Sequence, residues 1–283
     1  MSQPEIRVMT HSDIDFVMRL QEMVGWGNTR ADAERSLYYE PGGCYVASVG
    51  GVDVGMVNSF LYSEVGFIGN LIVLPEIRGG GVGGALMRRA IERLTSEGAG
   101  TIRLDGVQTT IPLYERLGFK GEYWSLRYKG IASKAPHMGV EPMEREDLEQ
   151  VARLDRRFFG LDRVQKLRRV QHDCPELCFK ASKGGEVKGY IMAKPGVSNV
   201  RVGPWICDPK YSEFAEPLLN ALTSKIEEKK IWIGLPEFNK AAVKIVEGKG
   251  YVQMPSSLRM CYGSCKKVED VLGIFGVGAP DKG

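Results

Sequence analysis

Residues Ile77 to Leu86 read IRGGGVGGAL, five glycines in six positions, between the apolar run NLIVLP and the helical stretch MRRAIERL. Residues without side chains between a strand and a helix let backbone N–H groups close on phosphate at the positive end of the helix dipole. Arg78 at the head of the run, with Arg88 and Arg89 in the helix, adds positive charge nearby. A tight turn alone rarely needs five glycines, since each costs backbone entropy on folding. Gly79, Gly81 and Gly84 satisfy G-x-G-x-x-G, and Asp105 follows at the spacing of a ribose-binding acid, so a dinucleotide site is one reading. Position counts against it. PEIR separates the strand from the first glycine, that strand is not the first of its domain, and no further βαβ units follow.

With Arg78 included, the run resembles the acetyl-CoA loop of the GNAT acetyltransferase superfamily, R/Q-x-x-G-x-G/A. PLYERLGF, Pro112 to Phe119, resembles the LY-x-K-x-GF segment of that family, although it also reads as an ordinary helix stopping at Gly118. The resemblance implies acetyl-CoA as cofactor, with Arg78, Gly79, Gly80, Gly81, Val82 and Gly83 cradling its pyrophosphate. It places Leu71, Ile72 and Val73 along the pantetheine arm, where two strands splay, and gives the Val73 N–H the thioester oxygen. Tyr114 matches the tyrosine that protonates the departing thiolate; its plain alternative is a tyrosine of an amphipathic helix. For the base, Asp105 at the end of its strand and Glu64 before the central strand are the carboxylates available, and either can be a solvated surface group. Val107 stands where many relatives carry an asparagine. Trp26, Tyr38, Tyr39 and Tyr62 could hold a cationic amine, or be core and rim residues.

These residues need a frame, and the chain supplies one twice. When Asp13 is laid over Asp147, Val17 meets Val151, Leu20 meets Leu154, and Pro41, Cys44, Gly50 and Gly55 meet Pro175, Cys178, Gly184 and Gly189. Two copies at this spacing mean two domains of one fold rather than a solenoid. The expected division is 1–130 for a catalytic domain and 139–283 for a second copy with a C-terminal tail, with Lys129 to Gly139 as linker. Each copy is expected to be α+β, two tandem GNAT-like domains with a mixed, mostly antiparallel sheet flanked by helices. In the first, IRVM is a strand, Thr10 and Asp13 open a helix, and a hairpin turns at Gly50 and Gly51. VGFIGNLIVL is a central strand, and a helix from about Gly83 to Glu97 stops at Gly98.

In the second copy Arg78 to Gly83 become Ser212, Glu213, Phe214, Ala215, Glu216 and Pro217, and Tyr114 becomes Val246. The cradle has lost its glycines and gained carboxylates that repel phosphate. This half therefore reads as a degenerate copy, although NKAAVKIVEGKGY keeps the family's pattern. Its helix DRVQKLRRVQH, with Arg163, Lys166, Arg168 and Arg169, reads as a solvated face or an acidic entrance. The tail VEDVLGIFGVGAP is expected to dock on a domain or to close a pocket.

Composition sets the outer bounds. The 283 residues are 43% hydrophobic and 26% charged with net charge +3, a globular balance that names no partner. No basic patch with interleaved aromatics suggests nucleic acid, no apolar run suggests a membrane, and the N-terminus carries no targeting pattern, so a cytoplasmic protein is expected. Cys44 and Cys207 read as buried small residues. CPELC and CYGSC read as free thiols, with a zinc set as the alternative; no metal is expected. The whole reading is an N-acyltransferase moving acetyl from acetyl-CoA to a small-molecule primary amine, acting as monomer or homodimer. A non-catalytic acetyl-CoA sensor is the competing class.

Overall fold

The computed structural model describes residues 3–279; Pro280, at the end of the apolar tail, lies outside the described residues. The first repeat runs β1 (Glu5–Val8), α1 (Ile14–Val24), α2 (Arg30–Tyr39), β2 (Cys44–Val49), β3 (Val52–Tyr62), β4 (Val65–Val73), α3 (Val82–Ser96), β5 (Thr101–Val107), α4 (Ile111–Arg116) and β6 (Lys120–Ile131). Strands β1 to β4 pair antiparallel in chain order, and β4 pairs parallel with β5, the expected mixed and mostly antiparallel sheet. The β2–β3 hairpin turns on Gly50 and Gly51, both at positive φ, as the paired glycines predict. Thr10 and Asp13 form the expected capping box ahead of α1, and Asp13 is also gripped by Arg7 at 2.7 Å. Helices α1 and α2 bury Ile14, Val17, Leu20, Ala33 and Leu37 against Val46, Met56 and Ile72 of the sheet. Helix α3 lies so close over β3 and β4 that a Cβ on Gly55 would meet Leu86, and one on Gly66 would stand 2.7 Å from Leu94.

The second repeat runs β7 (Val140–Pro142), α5 (Leu148–Phe159), α6 (Val164–Asp173), β8 (Cys178–Lys183), β9 (Glu186–Pro195), β10 (Val200–Cys207), α7 (Ala215–Lys225), β11 (Lys230–Pro236), α8 (Lys240–Gly248), β12 (Val252–Gly263) and β13 (Ile274–Gly276). Its pairing repeats that of the first: antiparallel through β7, β8, β9 and β10, then parallel from β10 to β11.

The compact units do not follow the repeats to the end. Of the described residues, one unit holds those through Glu122 together with Arg259–Lys266; the other holds Tyr123–Leu258 and Lys267–Ala279. Each unit thus takes its last strand from the other repeat. In the second unit β6 pairs with β11 from Ser125↔Pro236 to Ile131↔Lys230. Lys129, Gly130 and Ile131, expected in the linker, are therefore strand residues whose backbone is satisfied by β11. In the first unit, residues 259–266 lie along β5, where the Thr101 and Ser264 hydroxyls are 2.7 Å apart.

Two sequence readings need correction. Cys261 and Cys265 form a disulfide rather than free thiols, because Gly263 at φ +84° turns the chain and brings their Cα atoms to 5.5 Å. Cys44, Cys174, Cys178 and Cys207 are buried thiols. Arg163 is not on a solvated face: both its Nε and Nη2 donate to Asp155 inside the second unit, and its guanidinium stacks 3.8 Å from the Phe159 ring centre. An ion pair removed from water in this way must be hydrogen-bonded to be tolerated, and a third bond to Asp155, donated by the Tyr190 hydroxyl, helps to meet that need. Among the described residues no helix is long and apolar enough to cross a membrane.

Candidate active site

Strands β4 and β5 are paired only from Val65↔Thr101 to Phe67↔Arg103; beyond that point they part. A bulge on β4 accompanies the fork. Asn58 of β3 faces Gly69 and Met56 faces Ile72, so Asn70 and Leu71 oppose Val57 alone, with Asn70 at φ +52°. The Leu74 N–H donates to the Val54 carbonyl on β3, so Leu74 belongs to a hydrogen-bonded pair. Antiparallel alternation then turns the Val73 N–H and C=O away from β3, toward the open fork. The fork therefore presents the backbone of Val73, one of the three residues expected to lie along an extended ligand, while Ile72, in the next hydrogen-bonded pair, faces β3.

The glycine run begins where β4 ends. Gly79 and Gly81 both take φ +84°, a left-handed conformation that costs other residues about 1–2 kcal/mol, and a Cβ at either would meet nothing within 4 Å. Gly81 is the N-cap of α3, and the first intrahelical bond is Ala85 N–H to Gly81 C=O at 3.0 Å. The N–H groups of Val82, Gly83 and Gly84 precede that bond and point out of the helix end, where an anion would sit. Arg78 donates through Nε to the Val73 carbonyl at 3.0 Å, which ties the loop back to the fork. The guanidinium of Arg88 lies over the first turn, since a Cβ on Gly84 would stand 3.3 Å from its Nη1. Gly83, Val73 and Leu113 also converge: a Cβ on Gly83 would touch both side chains at 3.8 Å. Arg78 to Gly83 thus lie beside the end of β4, tied to it through the Val73 carbonyl.

Tyr114 comes from α4, a single short helix that Pro112 starts and Gly118 ends. Its ring packs edge-on to Phe119 at 6.1 Å and over Gly106 of β5, where a Cβ would stand 3.0 Å from the ring. Burial pushes the phenol above its ordinary pKa of 10.0, with a hydrogen bond from Thr110 pulling the other way. The group is therefore a protonated donor at neutral pH. Asp105, the residue before Gly106, is bonded at 2.8 Å to Nε of Arg259, and both side chains are 1% exposed. Glu64 is exposed and pairs with Lys266 at 2.6 Å. Trp26 packs against the core under α1, Tyr62 is buried edge-on to Phe67, and Tyr38 is 63% exposed beside Tyr39. Sequence reasoning missed Arg259, Met260 and Tyr262, which form part of the wall. The sulfur of Met260 lies 3.4 Å from the Cβ position of Gly106, and Tyr262 stacks on Phe119. A signal was there: Ser-Leu-Arg occurs in both last strands, at 125–127 and 257–259.

The second unit has the same fork, and it is filled. Strands β10 and β11 pair from Val200↔Ile231 to Val202↔Ile233 and then part. β13, from the apolar tail, enters the opening, pairing Trp205↔Gly276 and Ile206↔Ile274 on β10, while the Val277 N–H donates to Gly234 of β11. Asn239, capping α8, donates from Nδ2 to the carbonyls of Leu272 and Ile274 and so fastens the tail. Glu213, just before α7, and Glu216, in its first turn, pair with Lys183 and Lys249 where the first unit has its glycines.

Residues 15–119 match the acetyltransferase (GNAT) family, and residues 151–276 match an acetyltransferase (GNAT) domain. Acetyltransferase SG1711 of Sodalis glossinidius (strain morsitans) is 32% identical over 123 residues, 41% of this chain and 87% of that protein. Among solved structures, a putative acetyltransferase from Pyrococcus horikoshii superposes with a TM-score of 0.83 at 25% identity, over 100% of this chain and 97% of that one. A tandem GNAT protein from the clavulanic acid biosynthesis pathway shares the fold at 14% identity, with a TM-score of 0.65 over 94% of this chain and 100% of that one. Two forks of one design, each inside a matched domain, place the chain in the GNAT family as an N-acetyltransferase of two tandem GNAT domains.

Proposed function

We propose that the first unit moves an acetyl group from acetyl-CoA to the primary amine of a small molecule, by direct attack within a ternary complex, and that the second unit has lost its cofactor site. The observation that carries this reading is the open fork of β4 and β5 leading into the Arg78–Gly83 loop. Acetyl-CoA fits the residues present. A pyrophosphate needs side-chain-free backbone at a helix N-terminus, and the loop offers open left-handed glycines there. A pantetheine arm carries amides that can join a sheet edge as an added strand does. The sister fork accepts just such an extended segment, its own tail.

Acetyl-CoA supplies an acetyl thioester. The Val73 N–H, turned into the open fork, would be the donor for its carbonyl oxygen, where negative charge would grow as the amine nitrogen bonds to the carbonyl carbon. The Tyr114 phenol would give its proton to the thiolate sulfur as the C–S bond breaks, and the nitrogen would lose its own proton to complete the amide. We assign Asp105 to receive that proton through water; its bond to Arg259 fixes where the charge stands. Of the three aromatics, the exposed Tyr38 is assigned to the acceptor side, where an aromatic face suits a cation; Tyr62 is buried and Trp26 packs on the core.

The test is calorimetric titration with acetyl-CoA, followed by thiol release in the presence of a panel of primary amines, for wild type and Tyr114→Phe. The reading expects one acetyl-CoA per chain and amine-dependent turnover. In Tyr114→Phe it expects unchanged affinity with kcat lower by about 10²-fold or more. A wild type that binds acetyl-CoA but acetylates no amine overturns it.

A further inference from the structure

We propose that Arg259, a residue of the repeat without a cofactor loop, is a positioning residue for the transfer site of the first unit, acting through Asp105. The inference rests on the reading that this unit is catalytic with Tyr114 as acid. Arg259 spans the two arms of the fork. Its guanidinium lies 5.4 Å from the ring centre of Phe67, the last β4 residue paired to β5, and its Nε bonds Asp105 on the diverging arm. The next residue on each strand continues the contact toward the site. Met260 and the Tyr114 ring both meet the one Cβ position of Gly106, so the place of Tyr114 depends on where β5 is held.

The second unit is an internal control. Strands β5 and β11 each have seven residues, TIRLDGV and KIWIGLP, with Asp105 and Gly234 as their fifth. Ser-Leu-Arg in the last strand is common to both units, because the strands are exchanged. In the second unit the equivalent Arg127 stands in register with Gly234, and it donates instead to Ser257 at 3.1 Å. The same sheet is thus built there with glycine at the carboxylate position. The buried Asp–Arg pair occurs in the unit whose fork is open and whose glycine loop is intact, and it is replaced where the fork is plugged. A pair needed only to build the fold would be needed in both.

The test is a double-mutant cycle on the full chain with Arg259→Met, Asp105→Asn and the pair of changes together, plus Arg259→Lys. The best amine from the panel serves as acceptor. Arg259→Met is expected to lower kcat by about 10- to 100-fold with KM for acetyl-CoA changed by less than about threefold, because the phosphate loop is untouched. Acting through Asp105, it adds little to Asp105→Asn, so the double variant is no slower than that single one. Arg259→Lys, which keeps the charge and most of the length, recovers part of kcat, and it carries the test if Arg259→Met fails to fold. Wild-type kcat in a folded Arg259→Met or Arg259→Lys overturns the inference, as do losses that multiply in the double variant. A wild type whose thiol release no amine stimulates overturns the catalytic reading and this inference together.

Discussion

Gly81 and Gly98 bracket α3, one before its first turn and one after its last, and both hold left-handed backbone, at φ +84° and +99°. A Cβ built on either meets nothing within 4 Å. Alanine at each position should therefore cost the same kind of backbone strain, about 1–2 kcal/mol, with no clash to add. Their surroundings differ in one respect: Gly81 caps the N-terminus at the end of the fork, and Gly98 closes the far end. If phosphate rests on the N–H groups of Val82 to Gly84, a methyl at Gly81 stands in its approach and weakens charge-assisted hydrogen bonds of about 1.5–3 kcal/mol each. Losing one such bond corresponds to an affinity lower by about 10- to 100-fold. Thermal unfolding should then show similar losses for Gly81→Ala and Gly98→Ala. Calorimetric titration with acetyl-CoA should show the affinity loss for Gly81→Ala alone. Equal affinity in the two variants would mean that the loop is not the phosphate site.

Three further expectations follow from named contacts. Since burial raises the Tyr114 pKa, the alkaline fall of kcat should begin only above about pH 10; a fall centred near pH 8 in the pH–rate profile would assign the acid elsewhere. Arg7 and the Thr10 backbone hold the Asp13 carboxyl down at about 2, from an ordinary 3.8. A depressed carboxylate pKa stabilises above the unfolded value and is lost as pH falls through the folded one. Asp13→Asn should therefore cost about 1–2 kcal/mol at pH 7 in denaturant melts, a gap that closes between about pH 4 and pH 2. A gap that persists at pH 2 would refute the ion-pair account. Deleting residues 272–283 should destabilise the second unit yet leave calorimetric binding at one acetyl-CoA per chain, because Glu213 and Glu216 at the start of α7 remain; a second binding event would show that the tail alone had closed a working site.

The loop, its helix and the fork strand were legible in the sequence because they are local: glycines at fixed offsets, a strand before them, an amphipathic helix after. The capping box of Thr10 and Asp13 and the hairpin at Gly50–Gly51 were legible for the same reason. The exchange of last strands was not. Both repeats end in Ser-Leu-Arg, so neither strand's pattern says which sheet it joins, and the choice rests on pairing between segments far apart in the chain. Asp105 looked like a free carboxylate at a strand end because its partner, Arg259, lies in the other repeat. The Cys261–Cys265 bond was hidden in a spacing compatible with metal ligands, and only the turn at Gly263 decides it. For the tail, its apolar character was visible, but its use as a strand in the second fork depended on the gap between β10 and β11.

That filled fork has a thermodynamic consequence. One unit completes its sheet with residues of its own chain, tethered and present at a fixed effective concentration whatever the solution contains. On the function proposed above, the other leaves the equivalent place to acetyl-CoA, which must be captured from solution. By mass action, a ligand at about 100 times its Kd adds about 2.7 kcal/mol to the unit that binds it, and nothing to one that is self-supplied. Starved of acetyl groups, the chain would hold one half at constant stability while the other softened. Its lifetime against proteolysis would then follow the acetyl-CoA supply through the first unit alone.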